Sequence, residues 1–240
     1  MTSEFVHLHN HSDYSLLDGA QKIDQLVNTI DDLNMDAVAL TEHGNMFSVL
    51  PYYKQAKKAG IKPIIGCEIY VAVGSRFEKK TRSDGGWGNN HLILLAQNFI
   101  GYKNLMKLVT AGYLEGFYYR PRIDMDLLRE YSEGLICMSA CLKGVVPEKM
   151  LKGDYKGARK EALLFSEIFQ DRYYLEIQNH GIPEEEQNLK NMKKLSQDLN
   201  LPLVCTNDAH YAKKEHWEAH DIHICLGTGK ERSDPNRLRY

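Results

Sequence analysis

Residues 36–44 run DAVALTEHG: an unbroken apolar stretch, then a turn carrying Glu42, His43 and Gly44. A short apolar run without alternation reads as a strand buried on both faces, the kind that parallel sheets covered by helices use. Its surroundings agree. An amphipathic stretch begins near Val49 and stops at Gly60, and residues 62–72 (KPIIGCEIYVA) return to a β-branched run. Upstream, residues 5–9 predict a strand, and residues 22–33 a helix with Ile23, Leu26, Val27 and Ile30 on one face. Downstream, strands are expected at 91–97 (after the Gly-rich loop SDGGWGNN, 83–90), 135–139, 173–178 and 203–206. Helices are expected at 155–169 and 184–199. Strands alternating with helices imply an α/β fold with a parallel sheet. Seven such units in 240 residues favour a closed, distorted seven-stranded β/α (TIM-like) barrel over an open doubly wound sheet.

Composition narrows the class. Thirty Lys+Arg against 32 Asp+Glu leave a formal charge of −2, with 43% apolar and 26% charged residues, the balance of a globular protein. Any nucleic-acid contact must therefore be local. No apolar run approaches the roughly 18 residues of a membrane helix, and MTSEFVHLHN lacks the basic and apolar regions of a secretory signal. Five cysteines, Cys67, Cys137, Cys141, Cys205 and Cys225, lack C-x-x-C spacing. They read as reduced thiols, four of them small buried groups, in a cytoplasmic protein with no membrane partner. The polar C-terminal stretch GTGKERSDPNRLRY ends without a closing element, as expected of a piece of a longer chain.

The unusual residues fall where the expected strands end. His9 and His11 close the first, with Asp18 just beyond; His43 follows the second, and Glu68 sits in the third. His91 opens the fourth, Cys141 follows the fifth, and Asp208 and His210 follow the last. In a β/α barrel the strand ends share one rim, so residues distant in sequence converge there. In H-x-H and D-x-H, alternate residues of an extended segment point the same way and reach one ion. A lone H-x-H is weak evidence, but nine ligand types at successive strand ends are not coincidence. His91 fits least well, because it precedes its strand.

HLHNHSDYSLLDG, ALTEHG, GCEIY, NNHLILLAQN, SACLKG and TNDAHY resemble the motifs of PHP (polymerase and histidinol phosphatase) domains. Within that family the motifs are most similar to those of the N-terminal domain of bacterial replicative DNA polymerase III alpha subunits. GFYYRPRID, YYLEIQNHG and LGTGK extend the resemblance along the whole chain. It implies three divalent metal ions (Zn, Mn or Fe): one on His9, His11, Glu68 and Asp208, one on Glu68, His91 and Cys141, one on Asp18, His43 and His210. Residues 1–226 would form the domain and 227–240 the start of a connection to a polymerase region. The implied activity is metal-dependent phosphoester hydrolysis, a 3′→5′ exonuclease proofreading single-stranded or frayed DNA 3′ ends. Glu68 and Asp208 would be its catalytic ligands. Two alternatives are a non-catalytic, metal-stabilised module docking the polymerase and a separate proofreading nuclease, and a small-molecule phosphomonoesterase resembling histidinol phosphatase. Glu42 and Lys62 match no ligand position.

Other signals point less sharply. His180, after a strand end, is a candidate general acid, and Lys143 a candidate phosphate contact. Residues 117–122 (FYYRPR) mix aromatic and basic side chains, with Arg120 and Arg122 suited to phosphate and the rings to stacking on single strands; a packed loop explains them equally well. His216, His220 and His223 share a helix face, but the order is not H-E-x-x-H, and a solvated or packed face is the better reading. Gly227–Lys230 lacks phosphate-loop spacing.

Overall fold

A computed structural model describes residues 4–81 and 88–239, so most of the expected Gly-rich loop lies outside the described residues. In chain order the elements begin α1 (Ile23–Asp32), β1 (Ala37–Leu40), α2 (Val49–Lys58), β2 (Lys62–Ala72), β3 (Asn89–Ala96) and α3 (Phe99–Leu114). There follow β4 (Arg122–Ile123), α4 (Met125–Glu130), β5 (Leu135–Met138), α5 (Val145–Leu151) and α6 (Tyr155–Phe169). The last are β6 (Tyr173–Ile177), α7 (Pro183–Leu199), β7 (Leu203–Cys205) and α8 (Trp217–Thr228). The α/β class is as expected. These elements form two compact units, one of residues up to His43, Phe47–Ile64 and Asp208 onward, the other of Gly44–Met46 and Ile65–Asn207.

In the first unit α1 buries Ile23, Leu26, Val27 and Ile30, the face its spacing predicts. The expected strand at 5–9 is not a continuous ladder. His7 bridges Val38 and Asn10 bridges Ala209, both in parallel, so this segment lies between β1 and the residues after β7. Its interruption is local: Asn10 turns its side chain onto the carbonyls of His7 and Ala39, at 3.2 and 3.0 Å.

In the second unit the expectation of a parallel sheet is corrected. β5–β6 and β6–β7 are parallel, but β3 runs antiparallel to both β2 and β5. No helix lies between β2 and β3 among the described residues, and antiparallel neighbours need no crossover helix. The core gathers Leu92, Leu94, Leu105, Leu108, Phe165 and Phe169 among others. β4 and α3 were not foreseen. Gly101 and Gly112 weaken the helical pattern of α3, yet a Cβ on Gly101 would lie 1.7 Å from the Gly134 carbonyl oxygen, so close packing requires that glycine. β7 is an exposed edge rather than a doubly buried strand, and Cys205 on it is exposed, against expectation.

Candidate metal centre

In the first unit, His9 and His11 flank Asn10 on the bridged segment and so point to one side. Their Nε2 atoms lie 3.1 Å apart, and each is 3.1 Å from Asp208 Oδ1. Asp208 holds φ 46, a left-handed conformation that aspartate tolerates better than most residues. Beside this trio stands a second. Asp18 Oδ1 is 3.1 Å from His43 Nε2, and Asp18 Oδ2 is 3.8 Å from His210 Nε2. The rings of His43 and His210 stack on the His11 ring at 3.9 and 4.5 Å.

Residues around these donors fix their tautomers. His11 Nδ1 lies 3.3 Å from Ser15 Oγ, which donates to Glu42 Oε2 at 2.5 Å and accepts from the His43 N–H at 3.1 Å. With its proton spent on Glu42, Ser15 can only accept from His11, so Nδ1 carries the hydrogen and Nε2 presents a lone pair. His210 Nδ1 likewise lies 2.8 Å from the Asp208 carbonyl, which can only accept, leaving Nε2 turned to Asp18. Such partners orient metal-binding imidazoles. Glu42, matched to no ligand position, is thus a support: it is 1% exposed and also accepts from the Ser12 amide and hydroxyl. His220 is a second support, missed because its helix face looked merely packed. Its Nε2 lies 2.7 Å from the Asp18 carbonyl, and burial lowers its pKa so that a neutral ring donates there.

The donor set fits divalent cations. Ligands about 2.0–2.1 Å from one ion, at angles between octahedral and tetrahedral, stand roughly 2.8–3.4 Å apart; the His9–His11–Asp208 triangle, 3.1 Å on each edge, has that size. Charge agrees as well. Burial, then the neighbouring His43 and His210 charges, push His11 down to about 3, so its ring is neutral, the form a metal binds. Burial alone would raise Asp18 and Asp208, but hydrogen bonds and charge from the surrounding histidines outweigh it and keep both ionised.

In the second unit, Glu68 and His91 come from paired strands. Because β3 is antiparallel to β2, its beginning lies beside the end of β2, with His91 opposite Tyr70 and Asn89 opposite Ala72. That resolves the odd position of His91: the start of an antiparallel strand shares a rim with its neighbours' ends. His91 Nδ1 is 2.9 Å from Glu68 Oε1 and 3.7 Å from Cys141 Sγ. A nitrogen and a thiolate on one zinc ion stand about 3.6 Å apart. Cys141 is delivered by Ala140 in a left-handed conformation, φ 64, strain of the kind found at functional sites. The His91 amide is held by the Lys143 carbonyl at 3.0 Å.

The sequence matches the PHP domain family over residues 7–180, well over half the chain. The chain belongs to the PHP domain family. With membership come the PHP-type α/β fold and the metal-dependent phosphoesterase class. Over 237 residues it is 52% identical to a DNA polymerase III subunit alpha of Borreliella burgdorferi, covering 99% of this chain and 21% of that protein. The corresponding subunit of Treponema pallidum is 48% identical over 237 residues, 98% of this chain and 20% of that protein. The chain thus spans about a fifth of the length of the curated relatives it matches. A Bifidobacterium adolescentis structure, with a suggested metal-dependent phosphoesterase assignment, aligns at TM-score 0.49 and 12% identity over 85% of this chain and 87% of that one. That likeness is too slight to carry more.

Two expected residues, Arg122 and His180, are engaged elsewhere in this PHP domain. Arg122 is 1% exposed, its guanidinium donating to the carbonyls of Gly116, Arg76 and Glu78 at 3.0–3.2 Å. It is a buried brace with no reach to a phosphate. His180 places Nε2 2.6 Å from the Asn207 carbonyl and Nδ1 2.6 Å from Glu185 Oε1; both ring nitrogens face protein acceptors, so it braces a loop instead of standing ready as an acid. Lys143 is exposed and serves the site through its carbonyl. Arg120 is half-buried, its guanidinium 5.6 Å above the Tyr70 ring. Among the described residues, no helix is long and apolar enough to cross a membrane.

Proposed function

We propose that this PHP domain hydrolyses phosphodiesters at DNA 3′ ends, as a 3′→5′ exonuclease within a polymerase chain that supplies the bound DNA. Three groups of ligand atoms carry the reading: His9, His11 and Asp208; Asp18, His43 and His210; Glu68, His91 and Cys141. Their N···N and N···O contacts of 2.9–3.1 Å and the 3.7 Å contact to the Cys141 sulfur match the donor spacing of bound cations, while Asp18 stands wider from His210, at 3.8 Å. Three divalent ions, Zn, Mn or Fe, would supply Lewis acidity and a hydroxide at neutral pH. The protein's part is electrostatic and positional. Ionised Asp18 and Asp208 offset cation charge, while Ser15 and the Asp208 carbonyl hold two imidazoles in the binding tautomer. Glu42 keeps Ser15 in place.

The test sets a 3′-labelled single strand, a mismatched duplex and a small phosphate monoester side by side with Mn²⁺ or Zn²⁺, with Asp208→Asn as the contamination control. Metal-dependent shortening of the strands is expected, falling as salt rises because the near-neutral charge gives little non-specific affinity. Hydrolysis of the monoester alone would reassign the domain to small-molecule phosphatases. No turnover of any substrate with metal bound would leave a structural docking module.

A further inference from the structure

We propose that Phe117 and Tyr119 form a base-stacking platform for a single strand whose end lies at the metal centre, with Arg120 on its backbone phosphate. The inference rests on the action at DNA ends proposed above and adds where the rest of the strand lies.

Tyr119 is the first observation. It holds φ 58, a conformation costly for a bulky L side chain and free for glycine. Yet the residue is 58% exposed, its ring meeting that of its neighbour Tyr118 edge-on at 4.7 Å, so burial in the core does not explain its being an aromatic. The loop is built to keep it there. The Tyr118 amide donates to the Arg120 carbonyl at 3.0 Å across Tyr119. Buried Arg122 ties the loop to the Gly116, Arg76 and Glu78 carbonyls, and a Cβ on Gly116 would lie 1.8 Å from the Arg122 carbonyl. Strain held by an over-determined loop marks functional positions.

What the loop presents is the second. Phe117 is 45% exposed and stacks with Tyr113 at 6.1 Å. Arg120 follows Tyr119 directly in the chain and makes no ion pair among the described residues. Its guanidinium lies over Tyr70, whose ring meets the His91 ring edge-on at 5.3 Å. Exposed aromatics beside a cation form the surface that binds single strands with little sequence preference. The path from His91 through Tyr70 and Arg120 to Tyr119 puts that surface next to one metal-ligand group, within the second unit.

The experiment uses the full-length protein and two readouts. The first is the ratio of kcat/KM for an eight-nucleotide oligodeoxythymidylate to that for bis(p-nitrophenyl) phosphate, too small to reach the loop. Tyr119→Gly removes the ring while relieving the backbone, so the melting temperature should hold or rise, and the ratio should fall about tenfold. Tyr119→Phe should restore it. The second readout is photocrosslinking of the same oligonucleotide carrying 5-iododeoxyuridine, expected on the peptide bearing Phe117 and Tyr119. An unchanged ratio in Tyr119→Gly, or crosslinks only elsewhere, overturns the platform, and the latter with a lost partner protein would mark the loop as a protein interface. If the unaltered protein hydrolyses neither substrate, the exonuclease reading fails, and crosslinking alone decides this inference.

Discussion

The two units hold metal-ligand types by different means. In the second, Glu68 and His91 sit on the paired strands β2 and β3, where backbone register fixes which side chains adjoin. In the first, His9, His11, Asp18, His43, Asp208 and His210 stand on bridges and turns, where no ladder fixes them. There the positions come from side chains: Glu42 on Ser12 and Ser15, Gln21 on the carbonyls of His11 and Ala209, and His220 on Asp18. A ladder tolerates loss of its metal; a turn held by a few polar contacts depends on it.

Metal removal should therefore separate the two groups, and it is the largest effect expected. A ligand at 100 times its dissociation constant adds roughly 2.7 kcal/mol, which for a domain of this size corresponds to about 5–10 °C in Tm. Exhaustive chelation should lower the melting temperature by that order. Amide exchange should quicken in residues 11–18 and 208–211 far more than along β2 and β3. Uniform acceleration would erase the contrast, and an unchanged melting curve after confirmed metal loss would count against bound ions altogether.

Glu42→Ala probes the side-chain scaffold directly. It strands the Ser12 amide and two hydroxyls in a buried place, at a cost of about 2 kcal/mol, and frees the Ser15 contact that orients His11. Metal affinity should drop by about tenfold or more. The matching cut in the second unit is Asn90→Ala, which removes bonds to the Lys143 carbonyl and Glu148 at 3.1 and 2.7 Å. Because register also holds His91, its cost should stay near 1 kcal/mol. Calorimetric titration of both variants with Mn²⁺ compares them; equal losses would mean that the ladder gives no protection.

The same contrast explains what could be read from the chain. H-x-H, D-x-H and the residues ending apolar runs announced the ligand types, since a strand's period of two leaves a mark in sequence. Helices α1, α2, α6 and α7 were legible from apolar spacing. The supports were not, because Glu42, Ser15 and His220 act through side-chain hydrogen bonds that carry no period. Arg120 and Arg122 are two apart in one motif, and only the fold shows one half-exposed and the other buried as a brace. The reversal of β3 was also invisible, although His91 at the wrong end of its strand was its trace.

In the metal-free protein, pH should act chiefly through the histidine-rich group. His11 titrates near 3 when folded and near 6.5 when unfolded. The unfolded chain thus takes up the proton first, so stability is intact above about pH 6.5 and declines as pH falls toward 3. His220 is shifted the same way. Asp18 and Asp208, both lowered, add losses of the same sign below about pH 4. From pH 7.5 to 5.5 each such histidine removes at most about 1.4 kcal/mol. Urea midpoints of the chelated protein should fall over that interval, and His220→Gln should flatten part of the fall. A level profile would contradict the neutral, buried rings.

The smallest effect on stability, and the sharpest on metal identity, should come from Cys141→Ser. Cys141 is half-buried with Sγ 3.7 Å from His91 Nδ1, so a hydroxyl is accommodated and the melting temperature should move little. A thiolate is a soft donor that favours zinc, whereas carboxylates and imidazoles accept manganese readily. The serine variant should therefore lose one equivalent of tightly held zinc while the histidine–aspartate groups keep theirs, and added Mn²⁺ should refill the deficit more weakly. Elemental analysis after dialysis against a graded chelator resolves the equivalents. Glu68→Gln in the same assay should remove the same equivalent, because it takes a carboxylate from the same His91 nitrogen at 2.9 Å. If Cys141→Ser keeps all its zinc while Glu68→Gln does not, Glu68 and His91 hold their ion with some other donor and Cys141 is an ordinary thiol. If neither loses metal, the ladder-borne trio is no metal site, and the turn-held histidines carry the chemistry alone.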